Sequence, residues 1–226
     1  MEKEIKGNKK GKKFLMIMLL IVSIIIILFM IHTIRNYIII TSLQNKISEY
    51  ANTKNYYMKF VSKEENGTII TMEYYRKNSN QVTFLSRNLN GEISKVSMYD
   101  NGEKTDNFTE TKDKKIVQLN SGTSMVVNVY NYLETDNNWQ TFLGSIFSKV
   151  KSTKYNNKEC YIISKFMSST SLNYKGEETY IEKDTGLAIK NIGNGIITEK
   201  EYSFNNVEDS IFVEPDISQY VIKDNN

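Results

Sequence analysis

The chain opens its apolar pattern with one long block. From Phe14 to Ile34, "FLMIMLLIVSIIIILFMIHTI", 21 residues pass without a charge, which at ~1.5 Å per residue spans the ~30 Å hydrocarbon layer of a bilayer. The block predicts a transmembrane anchor over 14–35, with a basic tail at 1–13 and an external domain at 36–226. Beyond Arg35 the apolar positions Ile40, Leu43, Ile47 and Tyr50 are spaced by three, four and three, so the helix is expected to continue out of the membrane and dock this stripe on the domain. At Tyr56 the period changes to two. Tyr56, Met58 and Phe60 alternate with Tyr57, Lys59 and Val61, and Asn66-Gly67 leads into Ile70, Met72 and Tyr74, the pattern of strand, turn and strand. Further strands are predicted at 81–87, at 92–100 after Asn90-Gly91, and at 114–119.

Helical spacing returns over 123–150. Trp139, Phe142, Leu143, Ile146, Phe147 and Val150 form its clearest apolar face, behind Asp136 as N-cap. Strands resume at 158–166, 178–183, 187–192 and 196–204. Ile211, Phe212, Val213 and Tyr220, around Pro215, predict a tail that packs along the sheet edge. The expected fold class is α+β: an N-terminal transmembrane helix, then a curved antiparallel sheet forming a half-barrel with packed helices.

Charge gives this plan a direction. Six lysines, Lys3, Lys6, Lys9, Lys10, Lys12 and Lys13, precede the apolar block against Glu2 and Glu4, while Arg35 alone follows it before Lys46. That excess predicts a cytoplasmic N-terminus, a C-terminal domain outside, and a single pass through the cytoplasmic membrane. No small-residue cleavage site follows Ile31, and the only cysteine, Cys160, is far from the block, so neither signal-peptide removal nor lipidation is expected. Residues 36–226 carry 22 basic against 24 acidic residues, a balance that argues against nucleic acid as a partner. One cysteine also precludes an intrachain disulfide in the domain.

The triplet Asp184-Thr185-Gly186 matches the local signature of aspartic proteases. Such sites need two carboxylates sharing a proton and apolar flanks, whereas here the triplet occurs once, directly after Glu182 and Lys183. A hairpin turn is the expected reading, with Asp184 bonding its own backbone and Gly186 taking a positive φ. The sole histidine, His32, lies near the outer end of the apolar block and is expected to meet water there. With no external histidine, Ser-His-Asp, Cys-His and histidine-metal sites are excluded outside the membrane. Cys160 is read as a core residue sharing a face with Ile162 and Phe166. The acidic pairs Glu177-Glu178 and Glu208-Asp209 are read as solvated surface. No catalytic residue, metal ligand or cofactor is expected, and the chain is not read as an enzyme. Aromatic residues make up 12% of the chain and fall on both strand parities, which points to a binding groove. Its candidate residues are Tyr74, Tyr99, Trp139, Phe142, Phe147, Tyr180 and Tyr202.

The order of elements, closing through "YIEKDTGLAIK" into "EYSFNNVEDSIFVEPDISQY", resembles the LolA-like lipoprotein-carrier superfamily over roughly residues 40–220. Asp184, Gly186, Leu187, Phe204, Val207 and Pro215 fill the superfamily's turn, strand-closing and acidic-proline positions, with Ala188 in place of the usual proline. The resemblance implies an incomplete β-barrel. Its concave face holds acyl chains in carriers, and contacts proteins in relatives such as sigma-factor regulators and the germination lipoproteins of spore-forming Firmicutes. A transmembrane helix holds far more firmly than one acyl chain, which argues against shuttling between membranes. The resulting expectation is a membrane-anchored extracytoplasmic module presenting its sheet to an envelope protein partner, in sporulation or germination. The alternative is local binding of a lipid or other hydrophobic ligand. A homodimer is compatible with either.

Overall fold

The computed structural model describes residues 2–50, 52–122, 129, 133, 135–164, 166 and 177–223, with side chains from Gly11 onward. Its first element, α1 (Glu2–Ser48), is one unbroken helix. Its stretch Gly11–Ser48 is the one candidate membrane span among the described residues, long and apolar enough to cross a bilayer. All residues from Gly11 to His32 are exposed. From Thr33 onward the same helix changes role: Thr33, Asn36, Ile40, Leu43 and Ile47 are all buried, at spacings of three and four that place them on one face. Ile40 and Leu43 pack with Leu133, Val150, Ile163, Phe166, Ile181 and Ala188. Ile47 packs with Tyr56, Met58, Tyr74 and Leu187. Each such burial contributes on the order of 1.5–3 kcal/mol, so the C-terminal end of α1 is a core element. The helix closes with tight bonds, Glu49 N to Lys46 O at 3.2 Å and Tyr50 N to Ile47 O at 3.0 Å.

The strands are β1 (Asn55–Glu64), β2 (Ile69–Lys77), β3 (Asn80–Leu89), β4 (Glu92–Asp100), β5 (Thr105–Glu110), β6 (Lys115–Gln118), β7 (Lys149–Tyr155), β8 (Lys158–Ser164), β9 (Glu178–Glu182), β10 (Ala188–Gly193), β11 (Ile196–Phe204) and β12 (Val221–Ile222), with helix α2 (Asn138–Phe147) between β6 and β7. They form one open, curved sheet in the order β12-β6-β5-β4-β3-β2-β1-β11-β10-β9-β8-β7. The fold is therefore the expected α+β arrangement. All neighbours are antiparallel except β12, which lies parallel to β6. Two meanders, β1–β6 and β7–β11, are sewn together by the nine-residue register of β1 with β11, from Tyr56↔Phe204 to Glu64↔Ile196. Short loops turn the strands back. Asn90-Gly91 and Asn194-Gly195 both take positive φ at both positions, the two-residue hairpin geometry that matches strand twist.

One face of the sheet carries α1, over Met58, Tyr74, Ile163 and Ile181. On the opposite face Val82, Tyr99, Phe108 and Val117 meet Phe212, Ile217 and Tyr220 of the tail, so the tail covers the face as well as extending the edge. A run of ring contacts crosses this tail face: Tyr57–Tyr75, Tyr75–Phe84, Phe84–Tyr99, Tyr99–Phe108 and Phe108–Tyr220, with centroids 4.7–6.1 Å apart.

The second helix departs from the sequence expectation in three ways. Its N-cap is Asn137, whose Oδ1 accepts from Gln140 N at 2.9 Å, while Asp136 exchanges bonds with the Gln140 side chain. Val150 belongs to β7, because Lys149–Tyr155 pairs with β8. Third, the helix is rotated from the expected orientation, so that Phe142 and Ile146 of the expected apolar face are only half-buried. Thr141, Gly144 and Ser145 are buried, while Trp139, Leu143 and Phe147 are 65%, 43% and 69% exposed. Small and hydroxylated residues let α2 approach α1 closely, and two amides bind the pair. Asn36 Nδ2 donates to Ser148 O at 2.8 Å and Ser145 O at 3.3 Å. Gln44 Nε2 donates to Thr141 Oγ1 at 3.3 Å and to Leu133 O. Small side chains with polar cross-links are the packing mode of helices in membranes. Of the helical pattern read over 123–150, residues 123–128, 130–132 and 134 lie outside the described residues.

If α1 contributes core as well as anchor, Leu43→Ala destabilises the domain by about 2–5 kcal/mol, whereas Ile38→Ala, on the exposed side of the same helix, leaves it nearly unchanged. Urea unfolding of the full chain in micelles, followed by Trp139 emission, separates the two.

Candidate functional site

The Asp184-Thr185-Gly186 turn joins β9 to β10. Glu182 N donates to Leu187 O at 3.0 Å and Gly186 N to Glu182 O at 2.9 Å. Its side-chain support comes from Thr185, where the sequence pointed to Asp184: Thr185 Oγ1 donates to Glu182 Oε2 at 2.8 Å and accepts from Leu187 N at 3.2 Å. Asp184 itself is exposed. Gly186 has φ +74°, and a Cβ there would collide with the Leu43 carbonyl oxygen and sit 3.1 Å from Ile47 N. Lys46 Nζ donates to Lys183 O across the same contact. The triplet is thus the seat on which α1 rests.

The seven groove candidates do not converge. Tyr74 and Tyr202 lie on the helix face in the core cluster around Met58, and Tyr202 OH donates to Ala188 O at 3.0 Å. Tyr99 is on the tail face, beneath the tail cluster. Tyr180 alternates with the buried Thr179 and Ile181, so it faces away from α1; its ring is 5.6 Å from Tyr155, with Lys190 Nζ above both. Trp139, Phe142 and Phe147 sit on α2. Phe142 stacks with Trp139 at 5.6 Å and meets Tyr37 of α1 at 6.0 Å.

A different set does converge. Directly paired residues across a sheet share a face, and one such row reads Lys200, Phe60, Met72, Leu85, Val96, Thr109 and Ile116, from β11 across β1 to β6. It lies on the helix face, two residues along each strand from the core row of Tyr202, Met58 and Tyr74. Every member is half-buried. The row is an apolar track with one ammonium at its end. Lys200 Nζ stands 5.6 Å from the Phe60 ring centroid. Burial is the main influence on it and, against the counter-pull of Glu177, lowers its pKa to about 8. Two residues beyond Leu85, Val96 and Thr109, the strands end at an open depression of about 740 Å³, whose rim carries Arg87, Lys95 and Lys112 beside Glu92, Glu110 and Asp113. Its balanced charges favour neither sign of ligand.

Other candidates are structural. Cys160 is fully buried, on the face of β8 opposite Ile163. Phe166 joins the α1 core with Ile163, so it does not share the Cys160 face. Burial, helped by the charge of Glu182, pushes the Cys160 thiol up, away from reactivity. His32 Nε2 is 3.1 Å from the Asn36 amide. Among the described residues no group of three or more His, Cys, Asp or Glu is placed to hold a metal ion.

No protein-family model matches the chain, and no curated protein matches it. Solved structures that it resembles include an uncharacterized conserved protein from Thermus thermophilus, at 9% identity and TM-score 0.41, over 81% of this chain and 98% of that one. A LolA superfamily protein from Nitrosomonas europaea matches at 10% identity and TM-score 0.24, over 77% and 97%. A domain assigned to outer membrane lipoprotein sorting from Vibrio parahaemolyticus matches at 9% identity and TM-score 0.28, over 76% and 95%. Likenesses this faint carry no weight on what the chain binds.

The turn's role as a seat makes a sharp prediction. Gly186→Ala, which adds a methyl against the α1 backbone at positive φ, costs about 1–3 kcal/mol in urea unfolding, while Asp184→Asn is neutral. Equal stability of Gly186→Ala and the parent would contradict the seat.

Proposed function

We propose that this is a non-catalytic binding module, held in the cytoplasmic membrane by α1 with its N-terminus inside, whose helix-face track takes an amphiphile with a hydrophobic tail and an anionic head. The row from Lys200 to Val96 carries this reading. Phe60, Met72, Leu85 and Val96 offer a strip of apolar surface wide enough to follow an extended chain across five strands, counting from Lys200 on β11. Methionine adapts to chains of varied shape. Lys200 supplies the one charge in the row, and in a partly desolvated site an ammonium binds a carboxylate or phosphate more strongly than at an open surface. An anionic head would in return favour the charged amine. The order of elements in the sequence resembles that of lipoprotein carriers, a resemblance that implies ligands of the same class, and a ligand held locally suits a chain that does not leave its membrane. A protein partner is the weaker reading, because one of the aromatic residues that suggested it, Tyr99, is already covered by the chain's own tail.

The test is photocrosslinking of a diazirine-bearing fatty acid to the full chain in nanodiscs, with adducts mapped by mass spectrometry. Adducts on β1, β2 and β3 around Phe60, Met72 and Leu85 are expected, and labelling confined to α1 would reject the track. The ammonium is charged below its pKa, so labelling should decline as pH rises through about 8, with the step moved upward by bound anion. Lys200→Met should weaken labelling at low pH and abolish the step.

A further inference from the structure

The outward apolar stripe of α2 has a specific place relative to the candidate span. Counting ~20 residues for a ~30 Å hydrocarbon layer from Phe14 puts the outer boundary at about residue 33 or 34. Thr33 belongs to that uncharged run, yet it is only 3% exposed. One helical turn later, Asn36 is bonded to the carbonyls of Ser145 and Ser148. The external domain therefore reaches down α1 to the level where the hydrocarbon ends, and the part that reaches there is the C-terminal end of α2.

The direction of α2 follows from its bonds. Thr141 meets Gln44, farther out along α1, and Ser145 and Ser148 meet Asn36, so α2 descends toward the bilayer. At its lower end Phe147 is 69% exposed and, one turn higher, Leu143 is 43% exposed. Beside them Lys149 and Lys151 are exposed around the buried Val150, as is Arg35 on α1. Exposed aromatic and aliphatic side chains flanked by cations form the composition of surfaces that enter the headgroup layer of anionic bilayers. A helix that buries its small polar side and displays its apolar side is unsuited to open water.

We propose that the α2–β7 corner is a second membrane contact: Phe147 and Leu143 enter the outer headgroup region of the bilayer that α1 crosses, with Lys149, Lys151 and Arg35 on its phosphates. The inference rests on α1 spanning the membrane. It means that the domain sits directly on the leaflet in a fixed orientation, with no free stalk between.

The test uses the full chain reconstituted in phosphatidylethanolamine and phosphatidylglycerol vesicles. Trp139, the only tryptophan, is changed to Phe, and Phe147→Trp places the sole emitter at the corner; both positions are exposed, so the core is untouched. The expected result is blue-shifted emission, strong quenching by acyl-brominated lipid and little by aqueous iodide. Leu143→Trp in the same background, one turn higher, should show weaker lipid quenching. Emission at the water position with full iodide quenching would overturn the contact. Alkaline carbonate extraction of the same vesicles separates the two failures. If the chain stays with the lipid but the probe is in water, the corner contact alone is wrong; if the chain is released, the spanning helix is wrong and the contact falls with it.

Discussion

The described structure depends on one unbroken helix, α1, whose N-terminal stretch is exposed and apolar and whose C-terminal stretch is packed into the domain. From Gly11 to His32, α1 shows exposed side chains all round, as a helix facing lipid does. From Thr33 to Ile47 it presents one face to a packed domain. The change falls within a single turn, between His32 and Asn36, and no glycine or proline interrupts the backbone there. A continuous α-helix transmits orientation rigidly over this distance, since bending it requires a proline, a bulge or an inserted group. The domain cannot rotate about the N-terminal stretch of α1 unless its own core opens.

Two local features make that arrangement close-packed. On one side, α1 lies so near the β9–β10 turn that only glycine fits at residue 186, and Lys46 bonds a carbonyl of the same turn. On the other side, Thr141, Gly144 and Ser145 keep α2 slim enough for Asn36 and Gln44 to reach its backbone and hydroxyls. Between them, Ile40, Leu43 and Ile47 fill the helix face of the sheet. The sheet needs this helix because strands buried on one side are stable only when that side is covered. The apolar row from Phe60 to Val96 on the same face is left half-buried, and it is the surface to which the proposed ligand is assigned.

Much of the plan was readable from residue spacing. The stripe of Ile40, Leu43 and Ile47 and the Asn-Gly hairpins were unambiguous because 3.6-residue and two-residue periods differ plainly. The inverted α2 was not readable, since an apolar face is assigned inward by default, and only the neighbour's identity, here another helix with polar cross-links, reverses it. β7 was hidden because Lys149, Lys151 and Lys154 leave a single buried residue, Val150, to mark the strand. The groove was misassembled for a related reason. Only the register, Tyr74 opposite Thr83 and Tyr99 opposite Val82, puts Tyr74 and Tyr99 on opposite faces, and only the structure returns the tail over Tyr99. The Lys200 row could have been assembled from parity with Met58, given the register of six strand pairs, which the sequence does not state.

The apolar stretch and the core stretch of α1 form one continuous rod. Hydrogen–deuterium exchange of the full chain in vesicles, resolved by peptide mass spectrometry, tests this most directly. The account predicts continuous protection from Phe14 to Ile47, including the peptides across His32 to Ile38 that leave the bilayer. Fast exchange confined to that crossing segment would reveal a hinge between membrane and domain, and would contradict it.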